Sequence, residues 1–180
     1  MNFEVKNFTP WGAQLRRMQP PDIEAVLEIE QRNFRDPWTR RAFLAEIETT
    51  PVAQPLVVEY EGRIIGYVVP WLVAEELQIA NLTIHEDFRR RGLARQLITH
   101  LGELARQKGC NLAHLEVRRS NLAARKLYEA LGFYTTGERR DYYGPREDAI
   151  LMSKKLDAVE VASLEQRPEI SLLKLQEKRD

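Results

Sequence analysis

The chain has 180 residues, 43% of them apolar, with 27 basic and 27 acidic side chains, which suits one domain with a real core and removes any global attraction to nucleic acid or a membrane surface. A single cysteine, Cys110, excludes an intramolecular disulfide, and His85, His100 and His114 fall in no metal-binding spacing. No apolar run approaches ~18 residues and no basic-then-apolar leader opens the chain, so a cytoplasmic protein without a metal is expected.

Residues 1–11 read as a loose extension and 12–18, GAQLRRM, as a first strand. Pro20 and Pro21 open a helix with Asp22 in its first turn and Ile23, Val26, Leu27 and Phe34 on one face. A second helix restarts near Pro37, with Phe43, Leu44 and Ile47 at helical spacing, and Pro51 and Pro55 stop it. PLVVEYEGRIIGYVVPWL holds two β-branched strands around a turn at Glu61-Gly62, and residues 74–84 extend the sheet.

After Gly92, the residues Leu93, Ala94, Leu97, Ile98, Leu101, Leu104 and Ala105 form an inward helical stripe that Gly109 ends. NLAHLEV, 111–117, alternates as a strand, with Ala113, Leu115 and Val117 on one face and Leu112, His114 and Glu116 on the other. SNLAARKLYEALG is a helix capped by Ser120 or Asn121, with Leu122, Ala123, Leu127 and Ala130 or Leu131 inward and Ala124 and Tyr128 alongside. Strands near 133–140 and 148–154 complete the order βααβββαβαββ, an α/β fold with a mixed sheet over 12–154. A charged tail, 155–180, follows, and its ISLLKLQ segment has the pattern of a short amphipathic helix.

The segment EDFRRRGLARQ, 86–96, sets arginines and one glycine directly before the best-defined helix. A helix start exposes unpaired N–H groups and partial positive charge, and Gly92 lets a ligand approach the backbone closely. The pattern lacks the Gly-Lys-Ser/Thr of a Walker loop and the three glycines of a dinucleotide fingerprint. On spacing alone, an anion site and a solvated basic loop remain equal readings.

Arg89-x-x-Gly92-x-Ala94 resembles the acyl-CoA motif of the GCN5-related N-acetyltransferases, and LEVRRSNLAARKLYEALGF (115–133) resembles their second signature. The combination of Leu115-Glu116-Val117-Arg118, Ser120-Asn121, Leu127-Tyr128-Glu129, RRDYYGPREDAILM (139–152) and IEQRNFRDPWTRRAF (29–43) is similar to the bacterial ribosomal-protein-alanine N-acetyltransferases. The likeness spans about 13–153. It departs at His85-Glu86, where Asp-Pro is common, and at Asp141, where Asn is usual beside the expected acceptor peptide.

The resemblance implies a splayed sheet and acetyl-CoA as co-substrate. The pantetheine would pair with the backbone of Leu82, Thr83 and Ile84, and the diphosphate would meet the amides of Arg90, Arg91, Gly92, Leu93, Ala94 and Arg95. It also implies Glu116 as base, against an edge-facing strand carboxylate paired with Arg118 or a surface lysine, Tyr128 as acid for the leaving sulfur, against a core tyrosine, and Asn121 as a coenzyme contact or a helix cap. Trp38, Tyr142 and Tyr143 are candidates for the walls of a peptide groove, against plain packing. For Glu30, a candidate to take the acceptor's charge, a solvated helix face is the expectation, for His114 a structural role, and for Cys110 a structural thiol.

The implied acceptor is the N-terminal segment of a protein, an N-terminal alanine of a small-subunit ribosomal protein, with no nucleic acid or membrane partner and a monomeric enzyme. An α-amine of pKa about 7.8 is roughly a tenth neutral at pH 7, whereas a lysine at about 10.4 is below ~0.1% neutral. An N-terminal acceptor therefore asks roughly 3.5 kcal/mol less of the base. Other N-termini, lysines and small amines stay open as acceptors. So does a non-catalytic acyl-CoA sensor or ribosome-binding module using Arg89–Arg91.

Overall fold

The computed structural model describes residues 6–156. The strands are β1 (Lys6–Asn7), β2 (Gln14–Arg17), β3 (Leu56–Tyr60), β4 (Arg63–Val73), β5 (Glu76–Ile84), β6 (Leu112–Arg118), β7 (Tyr134–Arg139) and β8 (Ala149–Lys155). The helices are α1 (Ile23–Asn33), α2 (Arg40–Glu48), α3 (Leu93–Gln107) and α4 (Leu122–Ala130), with single 3-10 turns at Pro20–Asp22 and Glu86–Phe88. The expected α/β order is present, with one strand added: β1 pairs antiparallel with β2, so part of the expected loose extension joins the sheet. ISLLKLQ lies outside the described residues.

The sheet runs β1-β2-β3-β4-β5-β6-β8-β7, and among the described residues its one parallel pair is β5 with β6. Because α1 and α2 cover one face and α3 the other, each strand in the middle is buried on both sides. Ile23, Val26, Ile29 and Phe43 pack on Val57, Tyr67 and Val69 on the first face. Leu93, Leu97, Ile98, Leu101 and Ala105 pack on Val58, Val68, Leu77 and Leu115 on the second.

Local chemistry sets the element ends. α2 begins at Arg40 rather than at Pro37, because the Thr39 side chain accepts from Ala42 N–H at 3.2 Å and caps the helix. Asn121, of the two candidate caps, does the same for α4 by accepting from Ala124 N–H at 3.1 Å. The inward face of α4 differs from the expected one. Leu122 is 60% exposed and Ala123 is exposed, whereas Tyr128 is buried with Ala124, Leu127 and Leu131 packed beside it. In the first turn of α4, Ala123 and Ala124 line an open cleft, and Leu122 faces solvent outside it.

Two features open that cleft. β5 and β6 pair from Glu76↔Leu112 only as far as Ile79↔Leu115. At the same level a bulge puts Ala80 as an extra residue of β5 against β4, between the pairs Val69↔Asn81 and Pro70↔Ile79. Beyond it, β5 stays with β4 and β6 stays with β8, so the strands part.

Candidate active site

The split between β5 and β6 is a cleft of about 570 Å³. One wall is residues 79–84 of β5, the other is Leu115–Arg118 of β6 with the start of α4, and the N-terminus of α3 closes one end. Beyond Ile79 the edge of β5 that faces β6 has no strand partner among the described residues, so of the segment Leu82, Thr83 and Ile84 the backbone groups of Leu82 and the N–H of Ile84, which alternate away from β4, are available to a ligand lying along it.

The loop before α3 is built to present amides. Arg90 and Gly92 have left-handed backbone, φ 61° and 81°. Arg89 Nε donates to the Ile84 carbonyl at 3.1 Å, tying the loop to the end of β5. The first in-helix acceptor bond of α3 is Gln96 N–H to Gly92 O, 3.0 Å. The amides of Leu93, Ala94 and Arg95 ahead of it are therefore free to donate outward, with the positive end of the helix dipole behind them. Arg90, Gly92, Leu93, Ala94, Arg95 and Asn121 all line the cleft. The Arg91 side chain does not: its guanidinium lies over Phe88, 4.9 Å from the ring centre, and donates to Asp87 O at 3.0 Å.

Glu116 and Tyr128 line the same cleft. Leu115 and Val117 are buried on the α3 side of the sheet, so alternation turns Glu116 to the other face. Its carboxylate meets Arg139 Nη1 at 2.7 Å, across β8, and is partly exposed. Arg139 is the partner, not Arg118 or a lysine. Arg118 instead stacks on Tyr143, 4.2 Å from its centre, with Asp36 at 3.9 Å. Tyr128 is 9% exposed and packs on Phe133; burial, with Tyr143 nearby, pushes its phenol up to about 12. It is thus protonated throughout the neutral range.

Of the three aromatic candidates for a peptide groove, only Tyr143 lines the cleft. Trp38 packs its ring on Phe43, centres 5.4 Å apart, in the α1–α2 core. Tyr142 is 52% exposed and lies edge-on to Tyr143 at 5.0 Å. Asp141, the unusual residue of that segment, spends its carboxylate on its own loop by accepting from Arg146 N–H at 2.5 Å. His85 likewise serves locally, its Nδ1 accepting from Asp87 N–H at 3.3 Å. His114 hydrogen-bonds Ser153 through Nδ1 at 2.8 Å, and Cys110 is buried with its thiol pKa raised by that burial.

Glu30 is the residue the sequence misplaced. It is 1% exposed, not solvated. Its oxygens accept from Trp38 N–H at 2.8 Å, from the Tyr67 hydroxyl and from Asn81 Nδ2 at 3.3 and 3.4 Å. Burial raises its pKa and the three donors oppose that rise.

Among the described residues, no cluster of three or more His, Cys, Asp or Glu could hold a metal, and no helix is long and apolar enough to cross a membrane. Residues 23–133 match the acetyltransferase (GNAT) family. The chain is 34% identical to the ribosomal protein bS18-alanine N-acetyltransferase of Escherichia coli K12 over 139 residues, 76% of this chain and 93% of that one. The crystal structure of the ribosomal-protein-S18-alanine N-acetyltransferase from Escherichia coli superposes with a TM-score of 0.74 at 31% identity, covering 81% of this chain and 94% of that one. Ard1 from Thermoplasma volcanium superposes at 0.73 with 27% identity, covering 79% and 97%.

Proposed function

The chain belongs to the acetyltransferase (GNAT) family and uses acetyl-CoA as co-substrate; from that premise we propose that it acetylates the N-terminal alanine of ribosomal protein bS18. The observation that carries the reading is the split between β5 and β6, which has free amides of α3 at one end and both a carboxylate and a protonated phenol on its walls. The substrate named for the 34%-identical relative supplies the acceptor.

In this proposal the amides of residues 90–95 hold the diphosphate and the free edge of Leu82–Ile84 pairs with the pantetheine. Amides of β5 near the bulge polarise the thioester carbonyl. Glu116 takes the proton of the acceptor ammonium, directly or through a water. To do so it exchanges the Arg139 guanidinium for the acceptor's cation. The amine nitrogen then attacks the carbonyl carbon, the carbon–sulfur bond breaks with its electron pair going to sulfur, Tyr128 donates its hydroxyl hydrogen to that sulfur, and the second proton shed by the nitrogen passes through solvent to restore the Tyr128 hydroxyl. A phenol at about 12 is a weak acid. The low-polarity surroundings that raise it also penalise a bare thiolate, which keeps donor and acceptor matched. Asn121 contacts the coenzyme in addition to capping α4, and Tyr143 with Arg118 borders the acceptor end.

We propose the cytoplasm as the compartment and one copy of the chain as the working unit. The test is thiol release and mass gain with acetyl-CoA and a peptide carrying the bS18 N-terminus. An Nα-blocked lysine peptide and a small amine serve as competitors. Preference for the N-terminal alanine by ten-fold or more in kcat/KM supports the reading. Equal or greater use of lysine or small amines reassigns the acceptor, and coenzyme binding without thiol release on any of them makes the chain a sensor.

A further inference from the structure

We propose that Asn81 is a further acceptor-binding residue, its side-chain carbonyl taking a hydrogen bond from the acceptor's amino terminus, and that buried Glu30 is the positioning residue that aims it; this rests on the reading of the preceding subsection. An interior carboxylate is costly unless donors surround it, and Glu30 has collected three from three separate parts of the chain. Two of them, Trp38 N–H and Tyr67 O–H, hold it between the α1–α2 connection and β4. The third is Asn81, which also lines the cleft.

A carboxylate held by donors only accepts, so Asn81 must turn its NH2 toward Glu30. That fixes which end of the amide faces away from Glu30: the carbonyl Oδ1 is left for the cleft. The placement fits an acceptor amine. Asn81 follows the bulged Ala80, just beyond the last β5–β6 pair, Ile79↔Leu115. Its contact with α1 puts it on the α1–α2 face of the sheet, the face to which Glu116 turns from the opposite wall.

The chemistry favours a neutral oxygen there. An ammonium has three N–H groups and Glu116 receives one, so a second acceptor is needed to orient the nitrogen. Another carboxylate would hold the amine in its charged, unreactive form. An amide carbonyl binds charged and neutral amine alike and leaves deprotonation to Glu116. Tying Asn81 to Glu30 also prevents the amide from flipping its NH2 toward the amine, where it would repel.

The experiment measures peptide KM, kcat and acetyl-CoA Kd for the full chain and its Asn81→Ala, Asn81→Ser, Glu30→Gln and Asn81→Ala/Glu30→Gln variants, with an N-terminal alanine peptide. Asn81→Ala and Asn81→Ser should raise peptide KM about tenfold, the scale of one hydrogen bond to a charged group, while acetyl-CoA Kd stays within twofold. Glu30→Gln should raise KM severalfold alone and add nothing when combined with Asn81→Ala, a non-additivity that two independent structural losses would not give. Unchanged peptide KM in both Asn81 variants, or full additivity in the double variant, overturns the inference while leaving the proposed function intact. A wild-type chain that turns over no N-terminal peptide overturns both.

Discussion

Gly92 and Gly109 bracket α3 with nearly the same backbone twist, φ +81° and +85°, which makes them a matched pair for testing the diphosphate loop. A side chain in that left-handed region costs roughly 1–2 kcal/mol. A Cβ at Gly109 meets nothing within 4 Å, and one at Gly92 meets only Gln96 Nε2 at 4.0 Å, so alanine at either position adds strain without collision. Each substitution should therefore cost up to the same roughly 1–2 kcal/mol of stability, roughly 2–8 °C in Tm for a chain of this size. They should differ in coenzyme binding. In Gly92→Ala the loop relaxes from the left-handed geometry and must be returned to it before the amides of 90–95 converge. The strain then reappears as a roughly 5- to 30-fold weaker CoA Kd, at about 1.4 kcal/mol per tenfold. Gly109→Ala should leave Kd unchanged. Isothermal titration with CoA beside thermal melts reads both quantities. A wild-type Kd in Gly92→Ala, or equal weakening in both variants, would refute the reasoning.

Glu116→Gln should lower kcat by roughly 10²–10³ with CoA Kd unchanged, since it removes a base and not a coenzyme contact; its half-exposed partner Arg139 makes the ion pair worth little to stability, so Tm should barely move. Wild-type turnover removes Glu116 from the base role. In a tyrosinate absorbance titration, the difference between wild type and Tyr128→Phe should be one phenol ionising near pH 12. With an unfolded value near 10, the native state keeps a proton that the unfolded chain loses. Wild-type stability relative to Tyr128→Phe should then fall by roughly 2 kcal/mol as pH rises from 10 to 12. A difference spectrum titrating near 10 would contradict the burial. Phe43 is fully buried, 5.4 Å from both Trp38 and Tyr67. Phe43→Ala should cost roughly 3–5 kcal/mol in urea denaturation, and a loss below about 1 kcal/mol would mean the α1–α2 face does not pack as described.

The elements whose sequence pattern is local were readable in advance. α3 has a glycine at each end and an unbroken apolar stripe, and β6 alternates strictly, so the amide-presenting turn before α3 and the outward Glu116 followed from spacing and resemblance. What escaped were contacts between distant parts of the chain. Glu30 reads as solvated because nothing beside it in sequence neutralises a carboxylate; its donors Tyr67 and Asn81 stand 37 and 51 residues away. The partner of Glu116 reaches it across a strand, which no spacing rule encodes. Periodicity alone rotates α4 from its true setting because it assumes a core along the whole helix, whereas in its first turn Ala123 lines the cleft and Leu122 faces solvent. Trp38 and Tyr142 were sensible as groove walls by residue type alone. One packs against the α1–α2 core and the other is exposed, edge-on to Tyr143.

A crystal structure of the chain with a CoA–alanyl-peptide bisubstrate compound bears most directly on the whole account. The prediction is a diphosphate within hydrogen-bonding reach of the amides of 90–95, the linking sulfur beside the Tyr128 hydroxyl, and the peptide nitrogen facing Glu116. A compound bound outside the β5–β6 split, or bound there with Glu116 and Tyr128 turned from the sulfur and nitrogen, would contradict it.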